Sequence, residues 1–500
     1  MQISYGLCAH HYQRKVTQPI TWDSRTAVNG HCLIVGMSGA GKTFQLCKMI
    51  DQMRSSSSKP VRFHVFDVHG DIRIDSASSV LFSEQTRYGL NPLRVIPDPH
   101  YGGVRKSIQA FIATMNRVRA LGTKQEAVLR SILNDIYARN GFKAKDPSTW
   151  YVNENEARLI SDGSDGRMYL DVPIEEKDDA KSLGAKWDAG QKCWFVNISD
   201  YQGPIQRWPP KTTARSHPTL ADALGMAKYI LQKTFLGASV EAITHLQATN
   251  RAAAGMNRKL LKAHRLREAR IDEADLSEEV EKAKKKAIDA YSNYVNSIQS
   301  GTELMDVLKY DSTEVLKSVI NRLENLNATG IFKSTAPPFD PRLPVWRYEL
   351  SPLSLEERKL FVLFRLQELF NNAVQRGPQD HISDVIILDE AHIYADDDPD
   401  NIINTIAKEA RKFGVALICA SQSPTHFTED FIASVGTKVI LGIDEMYWRA
   451  SVTKMRVPES ALQWIKLTKS MLVQVKRQND TKNEWSMVLI PSMQSVSAPH

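Results

Sequence analysis

The sequence contains no long apolar run. No stretch of about 18 consecutive apolar residues occurs in its 500 residues, so no membrane-spanning helix and no membrane partner are expected. The first five residues also lack the charged-then-apolar layout of a secretory signal peptide. We therefore expect a cytoplasmic protein.

Cysteine is scarce and odd in number. The five cysteines are scattered along the chain, which argues against a disulfide framework and suits a reducing compartment. Cys8, His10 and His11 cluster near the start. They are only three candidate ligands, without a second pair at zinc-like spacing, so a structural zinc site is disfavoured.

A strong imbalance of charge is also absent. The chain has 64 Lys and Arg residues against 57 Asp and Glu residues, a net charge of +7. A mild basic excess is compatible with a nucleic-acid partner but does not establish one. The hydrophobic content of 42% is enough for a substantial core, and the length predicts about two to four domains.

The most specific motif is a glycine-rich turn between an apolar strand, predicted over 32–35, and a helix, predicted over 44–53. The turn has the phosphate-binding spacing G-x-x-x-x-G-K-T. Its glycines permit backbone conformations that side chains would block, so successive N–H groups point into one concavity. The N-terminus of the helix adds partial positive charge. The predicted nucleotide-binding residues are Gly36, Met37, Ser38, Gly39, Ala40, Gly41, Lys42, Thr43 and Phe44.

Two residues of this turn have specific roles in the chemistry that the motif predicts. Lys42 is expected to reach the β- and γ-phosphates and to act in catalysis. Thr43 is expected to offer its hydroxyl group to Mg²⁺. ATP and Mg²⁺ are therefore the predicted cofactors.

Two further apolar segments end in acidic groups. The strand predicted over 61–66 leads into Asp67 and Asp71, although an acidic turn that caps the strand is an alternative. The segment 384–388 is apolar enough to be a parallel strand covered on both faces, and it ends in Asp389 and Glu390. Asp389 is predicted to hold Mg²⁺ with Thr43, and Glu390 to polarise the attacking water. Two adjacent buried carboxylates are costly without a cation, which also favours a metal nucleotide.

A third apolar strand, predicted over 415–420, is followed by Gln422. We expect this side-chain amide at the edge of the sheet near the γ-phosphate, where it can report the state of the phosphate to the rest of the domain. A plain turn is the alternative, because Ser and Pro flank the position.

The character of the sequence changes near residue 145. A strand over 168–173, a helix over 175–183, a turn over 184–188 and a strand over 193–196 predict a small α+β domain. Trp187, Trp194 and Phe195 form either a small aromatic core or a surface for bases or a partner. The stretch from Tyr169 to Val196 resembles an uncharacterised domain that recurs in proteins of plasmids and other mobile elements.

Residues 217–330 are predicted to be mostly helical. Between residues 256 and 299 there is almost no Gly or Pro, and basic and acidic residues alternate in blocks. A nucleic-acid arm is possible for such a segment, but alternating blocks favour a solvated helical hairpin.

The three strand ends together resemble the HerA/FtsK group of P-loop ATPases, and HerA more closely. The likeness covers roughly residues 20–140 and 305–480. It rests on the P-loop, on D-V-H-G-D from Asp67, and on N-P-L from Asn91. Downstream it rests on L-D-E-A-H from Leu388, R-K-F-G from Arg411 and the S-Q-S-P segment that contains Gln422.

The resemblance implies a RecA-like core, a hexameric ring, ATP sites between subunits and movement along double-stranded DNA. It also implies an arginine that acts on the neighbouring subunit's nucleotide. Arg411 is the candidate, and Arg449 is the fallback because Thr405 stands where the family often has another arginine. The residues before the P-loop are too few for the β-barrel that usually begins HerA proteins, so assembly is expected to use other surfaces. Relatives of this type are often encoded beside nucleases or other effectors in anti-phage systems, which suggests such a partner.

The sequence thus predicts an α/β protein with a RecA-like P-loop core, a mostly parallel sheet and two insertions. The predicted divisions are 1–144 and 305–500 for the core, 145–215 for the small α+β domain and 216–304 for the helical insertion. The expected function is a ring-forming ATPase that moves DNA or activates a partner. The alternatives are an ATP-dependent assembly or sensor scaffold and a conjugative secretion ATPase.

Overall fold

The structure is a computed structural model. It describes residues 1–152, 166–172, 176–189, 193–208, 210–211, 217–231, 240–268, 274–297, 312–396, 398, 401–480 and 484–490. The chain divides into two compact units. Unit 1 comprises Met1–Pro92, Gln109–Thr123 and Asn321–His500, and unit 2 comprises Leu93–Ile108 and Lys124–Ile320.

The strands and helices are numbered here in chain order. The strands are β1 (Gln2–Cys8), β2 (Pro19–Asp23), β3 (Cys32–Gly36), β4 (Arg62–Asp67), β5 (Ala77–Leu81), β6 (Arg167–Leu170), β7 (Lys186–Asp188), β8 (Cys193–Asn197), β9 (Val345–Glu349), β10 (Asp384–Leu388), β11 (Val415–Ser421), β12 (Thr437–Gly442), β13 (Ser470–Val475) and β14 (Ser486–Leu489). The helices are α1 (Ala9–Gln13), α2 (Lys42–Ser56), α3 (Val104–Val118), α4 (Thr123–Arg139), α5 (Lys177–Ser182), α6 (Leu220–Ile230), α7 (Val240–Glu268), α8 (Ala274–Ser297), α9 (Thr313–Ala328), α10 (Leu355–Arg376), α11 (Ile402–Glu409), α12 (Glu429–Ser434), α13 (Trp448–Met455) and α14 (Glu459–Trp464).

Unit 1 is built on one large sheet. Among the described residues its strand order is β2-β1-β14-β13-β12-β3-β11-β10-β4-β9-β5. The strands from β12 to β5 run parallel to one another. The strands from β2 to β13 extend the sheet with antiparallel pairings. The predicted α/β class with a mostly parallel sheet is therefore confirmed.

The centre of this sheet consists of the strands with the most apolar sequences. Ile34 of β3, Ile387 of β10 and Ile418 of β11 are all buried in one core cluster. Strands covered on both faces need apolar side chains in both directions, which explains these continuous apolar runs. The strands predicted over 32–35, 61–66, 384–388 and 415–420 are confirmed to within one residue at either end.

Local signals also fix the helices around the sheet. A capping box opens α10: the Glu357 N–H donates to the Ser354 hydroxyl, and the Glu357 carboxylate accepts from the Ser354 N–H. The helix ends at Gly377, whose φ of +83° suits glycine. The predicted helix over 44–53 is longer in the structure, because α2 begins at Lys42.

The small domain of unit 2 has a three-stranded sheet in the order β6-β8-β7. The turn predicted over 184–188 is wrong in part, because it contains the short edge strand β7. Of the two alternatives for the aromatic residues, Trp187 does not fit a core, since it is 52% exposed and meets Trp194 edge-on, whereas Trp194 packs partly buried against the core. Trp208 is the fully buried aromatic residue of this core instead.

The charged segment folds as the predicted helical hairpin. Helices α7 and α8 pack antiparallel, with Thr249 Oγ1 donating to the Ala290 carbonyl and Lys259 lying 3.5 Å from Glu279. The helical predictions for 232–239, 269–273 and 298–311 lie outside the described residues. In the part of the chain that the structure describes, no helix has the length and apolarity needed to cross a membrane.

The capping box gives a local prediction for α10. Ser354→Ala removes the acceptor of the Glu357 N–H, which costs about 1 kcal/mol, or about a fivefold change in the opening equilibrium of the first turn. Amide hydrogen exchange in the peptide that begins at Ser354 should accelerate by about that factor. Ser354→Asn keeps a capping oxygen and should exchange as the wild type does. Equal acceleration in both variants would contradict the capping role.

Candidate functional site

The glycine-rich turn leaves β3 at Gly36 and enters α2 at Lys42. Gly39 and Gly41 have φ values of +77° and +95°, in the left-handed region that favours glycine. An added Cβ at either position would meet nothing within 4 Å, so glycine is needed there for its backbone and not for space. A Cβ on Gly36 would lie 3.1 Å from the Ala40 side chain, so that position is tight as well.

Lys42 lies folded back over this turn. Its Nζ donates to the Gly36 carbonyl at 3.0 Å and lies 3.7 Å from Glu390 Oε1. The side chain is 9% exposed, so the ammonium group is held in a largely dry environment by these oxygens. The structure thus brings together two residues that are 348 positions apart in the sequence.

The two acids after β10 have different electrostatic environments. Burial and the adjacent charge of Glu390 raise the pKa of Asp389 to about 6. Burial also acts to raise the pKa of Glu390, but His392, whose Nδ1 lies 3.2 Å from Oε2, and Lys42 outweigh it and leave that pKa below its usual value. Glu390 is therefore the acid that remains ionised most readily. Its φ of +47° is unusual for a residue with a side chain and marks a constrained turn.

Oxygen donors converge beside the P-loop in a way that fits Mg²⁺. Asp67, Asp71 and Asp389 each offer a carboxylate oxygen within 4.8 Å of the others. The hydroxyl of Thr43 lies 3.5 Å from Asp71 Oδ2. Hydroxyl and carboxylate oxygens are the ligands that Mg²⁺ prefers.

Asp67 is already satisfied by the protein. Its carboxylate accepts from Arg347 at 2.7 and 2.8 Å and from the N–H groups of Gly70 and Ile72. The groups left to hold a cation are then Thr43 and Asp389, as predicted from the sequence, together with Asp71. The sequence marked Asp71 only as an acid at a strand end, and the D-V-H-G-D segment was the signal for it.

The segment after β11 reaches the same edge of the sheet. In the parallel register Ser421, the last residue of β11, pairs with Val35 of β3. Gln422 follows directly and is exposed. The His426 ring lies 5.0 Å from the His392 ring, and His392 in turn contacts Glu390. Sequence reasoning assigned no role to His392, although it closes the L-D-E-A-H segment, and it missed His426, which belongs to no recognised motif.

The two candidate arginine fingers lie at opposite edges of the sheet. Arg411 is exposed in the turn before β11, at the edge where the parallel strands begin. Burial and the charge of Arg411 lower the pKa of His31, just before β3, to about 4. The P-loop of the same chain lies at the other edge, where the strands end. Arg449 is exposed on α13, after β12, at the P-loop edge.

Two family models match the chain. The model described as "Helicase HerA, central domain" matches residues 10–157, and the "Domain of unknown function (DUF5710)" matches residues 167–210. The second match covers the small domain. The four predicted divisions of the chain remain predictions.

Curated relatives share parts of the sequence. The DNA double-strand break repair helicase HerA of Pyrococcus furiosus is 27% identical over 277 residues, which are 50% of this chain and 47% of the relative. The DNA primase TraC of Escherichia coli is 35% identical over 94 residues, 18% of this chain and 6% of the relative. The chain therefore spans about half or less of the length of these relatives.

A solved structure supports the fold. VirB4 of Thermoanaerobacter pseudethanolicus aligns over 98% of this chain and 96% of its own, with a TM-score of 0.53 and 14% sequence identity. The fold and the phosphate-binding turn define the class: a P-loop ATPase with a RecA-like α/β core. The HerA matches show a more specific similarity, to the central domain of HerA over residues 10–157 and to a HerA helicase over half of the chain.

The raised pKa of Asp389 gives a prediction for the metal-free protein. The rise from 3.8 to about 6 corresponds to a destabilisation of up to about 3 kcal/mol. The cost is fully present above pH 6, where the folded and unfolded states both carry the charge, and it vanishes below pH 4, where neither does. Asp389→Asn should therefore raise the melting temperature at pH 8 in a chelating buffer.

The gain from Asp389→Asn should shrink as the pH falls from 6 to 4. Thermal melts across that range measure it. Asp51→Asn on α2 is the control, because that carboxylate is exposed and its neutralisation should change stability little. An Asp389→Asn protein that melts below the wild type at pH 8 would contradict the assignment.

Proposed function

We propose that this protein is a Mg²⁺-dependent ATP hydrolase whose turnover is coupled to the handling of double-stranded DNA or to the activation of a partner nuclease or other effector. The observation that carries the proposal is the convergence of Lys42, Thr43, Asp389 and Glu390 at one edge of the sheet. These residues come from two distant parts of the chain and match the roles that the P-loop chemistry requires.

The geometry assigns a task to each of these side chains. The N–H groups of the glycine turn and the start of α2 bind phosphate oxygens. Lys42 exchanges its contacts with Gly36 and Glu390 for the β- and γ-phosphates. Thr43 and Asp389 would hold Mg²⁺, which would supply positive charge to the phosphates when bound. Glu390, ionised because its pKa is low, orients the attacking water and accepts its proton.

A homo-hexameric ring with sites shared between subunits is part of the proposal. Its support is the placement of Arg411, which is exposed at the edge opposite to the P-loop of its own chain. From there it can serve only the nucleotide of a neighbouring subunit, as an arginine finger does in trans. Gln422, exposed after β11, is proposed to follow the state of the γ-phosphate.

The proposal that ATP turnover is coupled to DNA has less specific support than the proposal of ATP hydrolysis itself. The relative from Pyrococcus furiosus carries the name of a DNA-repair helicase, and the chain has a net charge of +7. The second candidate is the conjugative secretion ATPase that the sequence left open as an alternative. Displacement of a DNA triplex during ATP turnover supports the first candidate. Turnover without displacement, together with capture of specific membrane proteins, supports the second.

Two substitutions test the hydrolase itself. Glu390→Gln keeps the shape of the side chain and removes its charge, so the turnover number should fall at least about 100-fold while ATP binding persists. Lys42→Ala removes the main cation for the phosphates and should abolish binding as well as turnover. Lys317→Ala, at an exposed lysine of α9, outside the site and outside the turn that holds Arg411, is the control. Phosphate release and nucleotide binding are measured separately. Unchanged turnover in Glu390→Gln would end the proposal.

Mixing variants tests the shared site. Arg411→Ala and Lys42→Ala should each be inactive alone. In a one-to-one mixture, about a quarter of the interfaces of a ring would combine an intact Lys42 with an intact Arg411, so turnover should reappear at about that level. The same mixture made with Arg449→Ala is the comparison. Restoration only with Arg449→Ala would transfer the role to Arg449, and restoration with neither would argue against a trans arginine.

A further inference from the structure

A cavity of about 550 Å³ lies in unit 1 at the edge of the sheet where β4, β9 and β10 begin. One side of α10 covers it. Its volume is in the range of small-ligand sites, roughly 300–1,000 Å³. The length of β4 places it roughly 17 Å from the P-loop edge, so it is separate from the nucleotide site. Its polar and aromatic lining includes Arg62, His64, Trp346, Arg365, Arg376 and Asp384.

A buried hydrogen-bond chain forms one wall of this cavity. Arg365 Nε donates to the Tyr348 hydroxyl at 3.1 Å. Because arginine can only donate, the Tyr348 hydroxyl donates in turn to His64 Nδ1 at 3.1 Å. His64 Nε2 then carries the proton and faces Asp384 Oδ1 at 3.4 Å. Burial lowers the pKa of His64, so the ring stays neutral and the wall keeps one arrangement.

Four arginines line the cavity, and most of them have a carboxylate partner. The pairs are Arg342 with Asp340, Arg365 with Glu368 and Arg376 with Asp384. These pairs leave the lining close to neutral except at the remaining arginine, Arg62, at the start of β4.

Arg62 forms no ion pair among the described residues. Its guanidinium group donates to the carbonyl oxygens of Leu343 and Pro341 and lies 4.3 Å from the centre of the Trp346 ring. Burial lowers its pKa more than the nearby charge of Asp384 raises it, so Asp384, which is paired with another arginine, is only a partial counter-ion for Arg62. An anion in the cavity would supply a full counter-ion.

We propose that this cavity binds a phosphate group through Arg62, with Arg376 beside it and the Trp346 wall holding the ligand. Guanidinium groups bind phosphate oxygens in a planar, directional way, and the volume suits a ligand of mononucleotide size. The phosphate belongs to either a free nucleotide or a nucleic-acid backbone. Neither source involves the P-loop, so the site does not depend on ATP hydrolysis.

The test uses the full chain with Lys42→Ala, a substitution that should abolish nucleotide binding at the P-loop. Binding of inorganic phosphate, AMP and a short double-stranded DNA is measured by calorimetry and by thermal shift. Arg62→Gln is added because glutamine keeps an N–H donor for the carbonyl oxygens and removes the charge. Arg322→Ala is the matched control, since Arg322 also donates to two backbone carbonyls, at 2.9 and 3.0 Å, but lies outside this cavity.

The cavity site predicts binding in the Lys42→Ala background that weakens at least tenfold on adding Arg62→Gln and stays unchanged on adding Arg322→Ala. Loss of AMP and phosphate binding identifies a free ligand, and loss of DNA binding alone identifies a backbone phosphate. Absence of binding by all three probes, or equal binding with and without Arg62, overturns the proposal. Failure of ATP turnover in the wild type would affect only the proposed function.

Discussion

The contact between Lys42 and the acids after β10 is the interaction on which the site depends. The parallel order β3-β11-β10-β4 carries the ends of these strands to one edge of the sheet, so residues far apart in sequence become neighbours there. The arrangement is costly, because Asp389 and Glu390 are both largely buried. The pKa of Asp389 is raised and that of Glu390 is lowered, which gives the two acids different roles. A cation would stabilise the charge of Asp389, whereas Glu390 keeps its charge beside Lys42 and His392.

The elements that sequence reasoning recovered are those whose signals are local. The glycine spacing and the apolar run of β10 each specify their own structure within a few residues. Strand β7 was not predicted, because three residues beside a glycine turn are too few to show the alternation of polar and apolar residues that is typical of a strand. The antiparallel pairing of β1 with β14 joins the two ends of the chain, and no local pattern encodes that pairing. Trp187 and Trp208 have the same residue type, and only the packed domain shows which one is buried.

The residues of the site were also predictable from the sequence where a local motif specifies their role, and not where only the fold brings them together. Thr43, Lys42 and the two acids have roles that their motifs specify. Asp71 and His392 also stand in recognised segments, but their contacts with Thr43 and Glu390 appear only after folding. The two edges of the sheet also differ in character. The edge with the strand ends concentrates oxygen donors and one lysine, while the edge with the strand starts carries Arg411 and the cavity around Arg62. A ring of such subunits would bring these unlike edges together, which suits a nucleotide site that is shared between neighbours.

The most direct measurement is the position of a bound metal. Crystals grown with Mn²⁺ and a non-hydrolysable ATP analogue would locate the ion through its anomalous scattering. The account predicts a peak about 2.1–2.3 Å from Thr43 Oγ1, with the γ-phosphate near Lys42 and Asp389 bound directly or through one water. A triphosphate bound elsewhere, or a metal ion remote from both Thr43 and Asp389, would contradict it.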